Sequence, residues 1–536
     1  MTLLYEMGDL GLESKLILRW HMFDQHLQIE NVKVRKLVED YRSGRIMIPE
    51  FQREYVWKPS RAAKLIDSLY RNFPISTILL WTGNSEIVMR RSDPRPQRWD
   101  EVSWLIDGQQ RLITLSKVIY GGEGIDVVFN PNEKYGVFSL FNAAKAKDQK
   151  NWFHVSQILD DDQFRQLRRN LPEGKTGEGI ERKLEDVRRI LDYEVPVIKM
   201  VGHSLEDAVE AFTRINTLGV KLKTEDILSA KVAARHTRFI RDEVVPFLSR
   251  IRGEGFRRIS VMHLFRACAF VAKPDARNRT PLHELGKSEI TQAWNKTKLA
   301  TRETISLVKS EFGLVNMDIL WSGALLVPII ALNAITSPRD RDVKSMAGWM
   351  ALAALFHRYS GASEAALEQD LRACRSTDPI GNLLRNLRRD IGSVSISSQE
   401  FEGSILDKGG LFGLYVACRH KGLKDLFTGK TILIESKVDR HHIFPRSQFL
   451  EKDRPRADTL ANIAFVSNSI NTSIKNSVPE VYLPQIDRRI LESQCIPLDE
   501  SLWRMDRAEE FWEARRELLA KAFNEFIKET LPGRRV

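Results

Sequence analysis

The first part of the chain, residues 32–81, carries two hydrophobic periods that predict a mixture of helices and strands. A helix and then an extended segment ending at Ile48-Pro49 come first. Apolar residues next recur at helical spacing, at Ala62, Leu65, Ile66 and Leu69. Pro74 stops this period, and the apolar run at 78–81 then predicts a buried strand.

A second apolar run, at 102–106, leads directly into Asp107-Gly108-Gln109-Gln110-Arg111, and a helix is predicted at 112–119. The order of strand, tight turn and helix start presents backbone N–H groups and side chains to an anion. Glycine in the turn permits close approach of the backbone, and Arg111 has the guanidinium fork that binds phosphate. This segment is therefore a candidate phosphate-binding site.

From Ser204, a predicted helix N-cap, the hydrophobic period is almost entirely helical to about residue 405. Alternation typical of a strand returns at 431–435, and an amphipathic helix is predicted from about residue 502 to residue 531. We therefore expect an α+β multidomain protein. Its predicted parts are an α/β domain at 30–235, a helical middle region at 236–410 and a C-terminal domain at 411–536.

Composition adds a polyanionic partner to this picture. The 536 residues exceed one ordinary hydrophobic core, and 82 Lys and Arg against 71 Asp and Glu give a formal charge of +11. Such a charge favours a polyanionic partner such as nucleic acid through phosphate neutralisation, although it also fits a protein that is merely soluble. The longest apolar stretches, at 325–335 and 346–356, are too short to cross a bilayer, so no membrane partner is expected.

The cysteines and the N-terminal residues indicate the compartment. The four cysteines are scattered without a C-x-x-C pair, which predicts neither a zinc knuckle nor a disulfide framework. Acidic residues stand near the N-terminus, where an export signal would carry a basic region. The predicted location is a reducing cytoplasm.

The adjacent histidines His441 and His442 stand at the end of a predicted strand, directly before an Ile-Phe-Pro turn. Neighbouring strand residues point to opposite faces, so one imidazole can hold a metal while the other faces a water. A histidine pair beside a proline turn is, by itself, more often an ordinary surface feature. The downstream sequence favours a site, because Asn462 opens a second short strand and Asn471 lies at the start of a predicted helix.

These residue types, in this order, resemble the ββα-metal nuclease family called HNH over about residues 430–480. By this resemblance, His442 is the general base that takes a proton from the attacking water, and Asn462 pins the loop between the strands. His441 and Asn471 would bind one divalent metal, Mg²⁺ or a similar cation. The resemblance thus implies a metal-dependent DNA endonuclease with a ββα module at the C-terminus.

Three segments of the N-terminal half together resemble the ParB/sulfiredoxin-like N-terminal domain of the GmrSD family of modification-dependent restriction proteins. They are I-P-x-F-Q-R-x-x-x-W at 48–57, D-G-Q-Q-R at 107–111 and F-x-x-x-N-x-x-G at 212–219, within a resemblance over about 30–235. The family implies nucleotide binding and hydrolysis coupled to DNA restriction. It gives Asp107 a catalytic role. The residues that it places near a bound GTP or ATP are Gln52, Arg53, Gly108, Gln109, Gln110, Arg111 and Asn216.

Two features limit this second resemblance. Thr217-Leu218-Gly219 replaces the small-residue or Gly-Gly pair that is usual in the third segment. Sulfiredoxin chemistry is excluded, because it requires a reactive cysteine at the phosphate-binding turn and the first cysteine of this chain is Cys268.

Together these patterns predict an HNH endonuclease of a phage-defence restriction system, which senses modified DNA and is regulated by nucleotide turnover. Arg446 or Lys475 would contact the flanking phosphate. Two alternatives stay open: the N-terminal domain binds DNA without hydrolysing nucleotide, or the whole chain is a binding adaptor with a degenerate nuclease. The apolar runs of the helical middle fit a surface between two copies of the chain, a DNA channel or structural packing alone.

Overall fold

A computed structural model describes residues 25–49, 52, 55, 57–82, 102–122, 124–133, 136–142, 151–218, 224–236, 238–273, 281–361, 363–392, 396–432, 438–467 and 477–533. The chain divides into two compact units between Glu243 and Val244. The predicted helical middle region and the predicted C-terminal domain lie almost wholly in the second unit.

The first unit is built from strands and helices in a mixed order. Its strands are β1 (His26–Lys33), β2 (Ile46–Met47), β3 (Ile78–Thr82), β4 (Ser103–Asp107), β5 (Val127–Asn130), β6 (Val137–Leu140), β7 (Phe153–His154) and β8 (Glu194–Val201). Its helices are α1 (Val34–Arg42), α2 (Pro59–Tyr70), α3 (Gln109–Tyr120), α4 (Val155–Leu159), α5 (Asp161–Arg169), α6 (Lys175–Arg188), α7 (Leu205–Leu218) and α8 (Thr224–Arg235).

A five-stranded sheet in the order β1-β8-β3-β4-β2 forms the centre of the first unit, and a smaller sheet has the order β6-β5-β7. In the central sheet β3 is parallel to β8 and antiparallel to β4. The helical face predicted at 62–69 lies in α2 and is buried in one apolar core with Leu80 of β3 and Leu105 of β4. This packing fixes the strand that runs into Asp107.

The second unit is helical apart from one hairpin in its described part. Its helices are α9 (Val245–Gly253), α10 (Val261–Ala272), α11 (Lys287–Phe312), α12 (Val327–Ile335), α13 (Val343–Leu355), α14 (Ser363–Ala373), α15 (Pro379–Ile391), α16 (Lys408–His420), α17 (Pro479–Tyr482), α18 (Arg488–Ser493) and α19 (Ala508–Thr530). The hairpin strands are β9 (Val438–His442) and β10 (Ile463–Ser467). Helix α13 packs on α16 and on α19, and α16 also packs on α19, so the C-terminal helix belongs to the core of this unit.

The structure confirms the mixed α+β class and most predicted elements. The helix predicted after Ser204 is α7, and the Ser204 Oγ accepts a hydrogen bond from the Asp207 N–H at 3.1 Å, as an N-cap should. The two long apolar runs lie in α12 and α13, whose residues are almost all buried. None of the described helices is long and apolar enough to cross a membrane.

The C-terminal elements differ in part from the prediction. The alternation at 431–435 predicts a strand, but the described part of it contributes only an isolated bridge between Lys424 and Thr431. The strand that leads to the histidine pair is β9, which begins later, at Val438. The helix predicted at Asn471, the third element of a ββα module, lies outside the described residues.

Candidate functional site

The antiparallel hairpin of β9 and β10 carries both histidines. His442 is opposite Ile463 in the register, and His441 is opposite Ala464. Because successive residues of a strand point to opposite faces, the two imidazoles leave β9 in different directions. Their surroundings differ accordingly.

The His441 side chain lies on the apolar side of the hairpin, where the residue is only 6% exposed. Its ring contacts the rings of Phe427 and Tyr482 edge to face, with centroid separations of 5.4 and 6.0 Å. The Tyr482 hydroxyl donates a hydrogen bond to the Ile443 carbonyl at 3.0 Å, and burial raises the pKa of Tyr482, so this group stays a neutral donor. The aromatic contacts fix the orientation of the His441 ring.

The His442 side chain lies on the other face and is partly exposed. Its Nε2 is 3.0 Å from Oδ1 of Asp458, while Nη2 of Arg446 is 3.6 Å from Oδ2 of the same carboxylate. Because a carboxylate accepts hydrogen bonds, this contact favours the imidazole tautomer that has its proton on Nε2. Nδ1 is then the ring atom with a lone pair, which is what a general base requires.

Asp458 is a residue that the sequence analysis missed. It lies in the loop between the two strands, and a short pairing with residues 403–405 holds its backbone. The Ile405 N–H donates to the Asp458 carbonyl at 2.8 Å, and the Leu460 N–H donates to the Gly403 carbonyl at 2.9 Å. Because this pairing joins segments far apart in sequence, no local spacing indicates that Asp458 meets His442.

Asn462 has no exposed area and forms three side-chain hydrogen bonds across the loop. Its Nδ2 donates to the Phe444 carbonyl at 3.0 Å and to the Ala457 carbonyl at 2.8 Å. Its Oδ1 accepts from the Phe444 N–H at 2.8 Å. The side chain therefore ties the turn after His442 to the end of the loop that carries Asp458.

A buried arginine holds the backbone on both sides of Asn462. Arg515 of α19 has no exposed area. Its guanidinium donates to three backbone carbonyls, those of Ala461, Ile463 and Gln494, at 2.8, 2.8 and 3.0 Å. Burial lowers the pKa of Arg515. The sequence has no signal for this role, because an arginine in an amphipathic helix usually faces solvent.

The predicted second metal ligand, Asn471, lies outside the described residues, and so does Lys475. Within the part of the chain that the structure describes, no group of three or more His, Cys, Asp and Glu side chains is arranged to hold a metal ion. The two predicted ligands are one imidazole and one amide oxygen. Of these two, only His441 is described, and its buried ring lies on the opposite face of the hairpin from His442. The metal site therefore stays a prediction.

In the first unit, Gly108 forms the turn between β4, which ends at Asp107, and α3, which begins at Gln109. Its φ is +100°, which residues with a Cβ rarely adopt. A Cβ at this position would lie 2.3 Å from Cδ1 of Ile78. Both the backbone conformation and the packing therefore require glycine here.

The structure brings the first two predicted N-terminal segments together. Nε2 of Gln52 donates to the carbonyls of Leu105 and Ile106, at 2.9 and 2.7 Å. The Trp57 N–H donates to Oε1 of Gln110 at 3.1 Å. Both glutamine side chains are buried and join the segment at 48–57 to the end of β4 and the start of α3.

Arg111 is engaged inside the protein. Its Nη1 donates to the Ile75 carbonyl at 2.7 Å, and its Nη2 donates to Oδ2 of Asp107 at 3.1 Å. Burial lowers the pKa of Arg111, and the neighbouring Asp107 opposes this shift. The Asp107 side chain is 32% exposed and that of Arg111 13%, so the carboxylate is the more accessible group of the pair.

The remaining predicted nucleotide contacts are only partly described. Gln109, at the first position of α3, is 5% exposed. Arg53 lies outside the described residues, as does the side chain of Asn216 near the end of α7. Helix α7 itself packs on β4, so the third predicted segment belongs to a helix that contacts the strand leading into Asp107.

We expect Gly108→Ala to destabilise the first unit by about 1 to 3 kcal/mol through backbone strain, with a further loss from the clash with Ile78. Thermal unfolding of the full chain measures the effect. The matched control is Gly121→Ala at the other end of α3, where φ is +69° and no atom lies within 4 Å of the place that a Cβ would take. Equal loss of stability in both variants would show that the clash contributes nothing.

Comparison with known proteins relates the first unit to restriction proteins. The chain is 23% identical over 528 residues to an uncharacterized protein of Methanocaldococcus jannaschii, an alignment that covers 84% of this chain and 86% of the relative. Residues 34–233 match the family model described as the GmrSD restriction endonuclease, N-terminal domain. The matched segment includes the Gly108 turn and both elements that flank it. Over these residues the chain is therefore similar to the N-terminal domain of the GmrSD restriction endonucleases.

Proposed function

We propose that this chain is a metal-dependent DNA endonuclease of the HNH type in a phage-defence restriction system. The observation that carries the proposal is the pair of His442 and Asp458, whose facing atoms are 3.0 Å apart on the partly exposed face of the hairpin. Asn462 supports the pair, because its three hydrogen bonds hold the loop that joins the two residues. A base held in one tautomer at an open polar surface suits hydrolysis of a phosphodiester.

In the proposed reaction, Nδ1 of His442 takes a proton from a water molecule as the water oxygen attacks phosphorus. The bond from phosphorus to the 3′ oxygen then breaks with its electron pair on that oxygen, which takes a proton from solvent water; the products are a 3′ hydroxyl and a 5′ phosphate. Asp458 accepts the Nε2 hydrogen bond throughout and stabilises the imidazolium that forms. A divalent metal held by His441 and Asn471 would supply positive charge to the phosphate and the departing oxygen.

DNA as the substrate, and restriction as the setting, rest on the likeness of residues 34–233 to a restriction endonuclease domain. The formal charge of +11 is compatible with this substrate. By the same likeness we propose that the N-terminal unit senses modified phage DNA and that nucleotide turnover regulates cutting. The cytoplasm is the compartment where such a protein would meet phage DNA.

The nucleotide, GTP or ATP, would bind where β4 meets α3, because the start of α3 presents backbone N–H groups to phosphate. Asp107 is the accessible carboxylate of this turn. One observation favours the alternative of DNA binding without turnover. Arg111 already donates to the Ile75 carbonyl and to Asp107, and its side chain is only 13% exposed, so little of its guanidinium is accessible to a phosphate.

Cleavage of modified phage DNA and of unmodified plasmid tests the proposal, with Mg²⁺ or a chelator and with or without GTP or ATP. We expect Mg²⁺-dependent cutting of the modified DNA that responds to nucleotide, and no cutting by His442→Ala. Cutting by His442→Ala at the parent rate would place the nuclease site elsewhere. His442-dependent cutting that ignores modification and nucleotide would reduce the function to a simple nuclease.

The same assay tests regulation by the N-terminal unit through Asp107→Asn. We expect this variant to lose both phosphate release from nucleotide and the nucleotide response of cleavage. Asp67→Asn is the matched control, since Asp67 is an ion-paired surface carboxylate on α2. If Asp107→Asn cuts and restricts phage like the parent with and without nucleotide, the proposed coupling is wrong.

A further inference from the structure

The last turn of α9 and the segment that leads from it towards α10 concentrate positive charge on the second unit. Residues 250–258 read R-I-R-G-E-G-F-R-R, with four arginines and one acidic residue, Glu254. The four arginines are all exposed; they are Arg250, Arg252, Arg257 and Arg258, and together we call them the arginine turn. Lys309 of α11 lies beside it, with Nζ 5.8 Å from the centre of the Phe256 ring.

Two of these guanidinium groups are held in place by the backbone. Nε of Arg252 donates to the Ile259 carbonyl at 3.2 Å, and Nε of Arg258 donates to the Met317 carbonyl at 3.0 Å. In each case the bond uses the Nε atom alone. The two Nη groups of each side chain are therefore presented by a fixed guanidinium, and they form the fork that binds a phosphate with two hydrogen bonds.

The turn itself is anchored to the unit beneath it. Phe256 has no exposed area, and the Met317 N–H donates to the Gly255 carbonyl at 3.2 Å. Gly255 has φ of +100°, and a Cβ there would lie 2.7 Å from the Val315 carbonyl oxygen. The arginines on both sides of Phe256 thus project from a tightly packed turn.

The arginine turn is not neutralised by neighbours. Among the residues that the structure describes, no carboxylate lies within ion-pair distance of any of its four guanidinium groups. Some exposed arginines of this unit do have such a partner, as Arg504 has Asp506 at 3.0 Å and Arg488 has Glu500 at 3.8 Å. Four like charges in nine residues repel one another, and bound phosphates would offset that repulsion.

We propose that the arginine turn binds the phosphate backbone of duplex DNA and holds it to the second unit. None of its residues belongs to the hairpin of β9 and β10. Contacts to phosphate carry no sequence information, so this surface adds affinity that is the same for modified and unmodified DNA. The choice of DNA as the polyanion rests on the proposed function. The charge and the geometry of the arginine turn are independent of that function.

The test measures binding of the full-length protein to an unmodified duplex over a series of salt concentrations, in a chelator so that nothing is cut. We expect Arg252→Gln with Arg258→Gln to weaken binding roughly tenfold for each arginine and to reduce the slope of log affinity against log salt by about 0.9 for each phosphate that is no longer neutralised. Modified DNA should show the same weakening. The matched control is Arg488→Gln with Arg504→Gln, which removes the same charge from ion-paired surface positions and should leave the slope near the parent value.

A second variant distinguishes the loss of charge from a folding defect in the turn. Arg250→Gln with Arg257→Gln leaves both backbone hydrogen bonds of the turn intact, and we expect it to lower the salt slope as well. An unchanged slope in both turn variants overturns the proposal. Because binding is measured without cutting, that failure is distinct from failure of the proposed nuclease, which His442→Ala reports separately.

Discussion

Replacing His442 by alanine is expected to lower the rate of DNA cleavage by about 10²- to 10⁴-fold while DNA binding stays near the parent level. The imidazole acts in the transition state, where it takes the proton of the attacking water, and it is not needed to dock the substrate. The rate of cleavage at saturating DNA and the dissociation constant measured in a chelator separate these two effects. Weaker DNA binding with an unchanged rate of cleavage would contradict the assigned role.

Asp458→Asn sharpens this prediction, because the two side chains have nearly the same shape. The carboxylate accepts the hydrogen bond from Nε2 of His442, whereas the amide can donate to Nε2 and so favour the tautomer with its proton on Nδ1. That tautomer lacks the lone pair that the base needs. We therefore expect a loss in the cleavage rate of up to about 10⁴-fold without loss of folding.

The control for Asp458→Asn is Asp453→Asn in the same loop, where the aspartate side chain forms no cap hydrogen bond. This control should cleave like the parent. A normal rate in both variants would mean that Asp458 does not set the protonation of His442. A loss in both would point to the charge of the loop, not to the tautomer.

The second large effect is expected for Asn462→Asp, through stability. The substitution keeps the oxygen that accepts from the Phe444 N–H, but it replaces the Nδ2 donor by an oxygen facing the carbonyls of Phe444 and Ala457 at 3.0 and 2.8 Å. The ionised carboxylate loses two buried hydrogen bonds and meets two carbonyl oxygens, whereas the protonated form can still donate to one of them. We expect the free energy of unfolding of the second unit to fall by at least about 3 kcal/mol.

The direction in which the stability of Asn462→Asp changes with pH follows from the burial of the new carboxyl group. A buried carboxyl favours its neutral form, so its pKa in the folded variant is raised above the unfolded value. The folded variant then binds more protons than the unfolded chain, and its stability falls as pH rises. Calorimetry of the full chain checks this, with Asn295→Asp, at an exposed position of α11, as the control. A variant that unfolds like this control at neutral pH would show that Asn462 does not hold the loop.

The pattern of residues within a short segment was sufficient to predict those features of the structure that depend on residues close together in the sequence. The helical spacing of Ala62, Leu65, Ile66 and Leu69 predicted the buried face of α2, because a period of 3.6 residues is a property of the segment itself. The glycine after Asp107 likewise predicted a tight turn into α3, and the structure gives it a positive φ. The order of the two histidines and Asn462 predicted two short strands joined by a loop, which β9 and β10 provide.

Other contacts depend on how distant segments meet, and the sequence has no signal for them. Gln52, predicted near a nucleotide, donates from Nε2 to two backbone carbonyls of β4, a contact between residues more than fifty positions apart. Arg111 has the residue type of a phosphate ligand, but its neighbours in space engage its donors. Residue type indicates what a side chain can do, whereas burial and partners decide what it does.

The sequence by itself determined the mixed helix and strand content, the Gly108 turn and the position of the histidine pair at a strand end, since each follows from residue type and spacing within a short segment. Only the tertiary structure decided that Asp458 faces His442, that Arg515 holds the backbone around Asn462, and that the chain divides after Glu243. The physical reason is that hydrogen bonds between distant segments form only when the loops between them close, and loop closure depends on the packing of the whole unit.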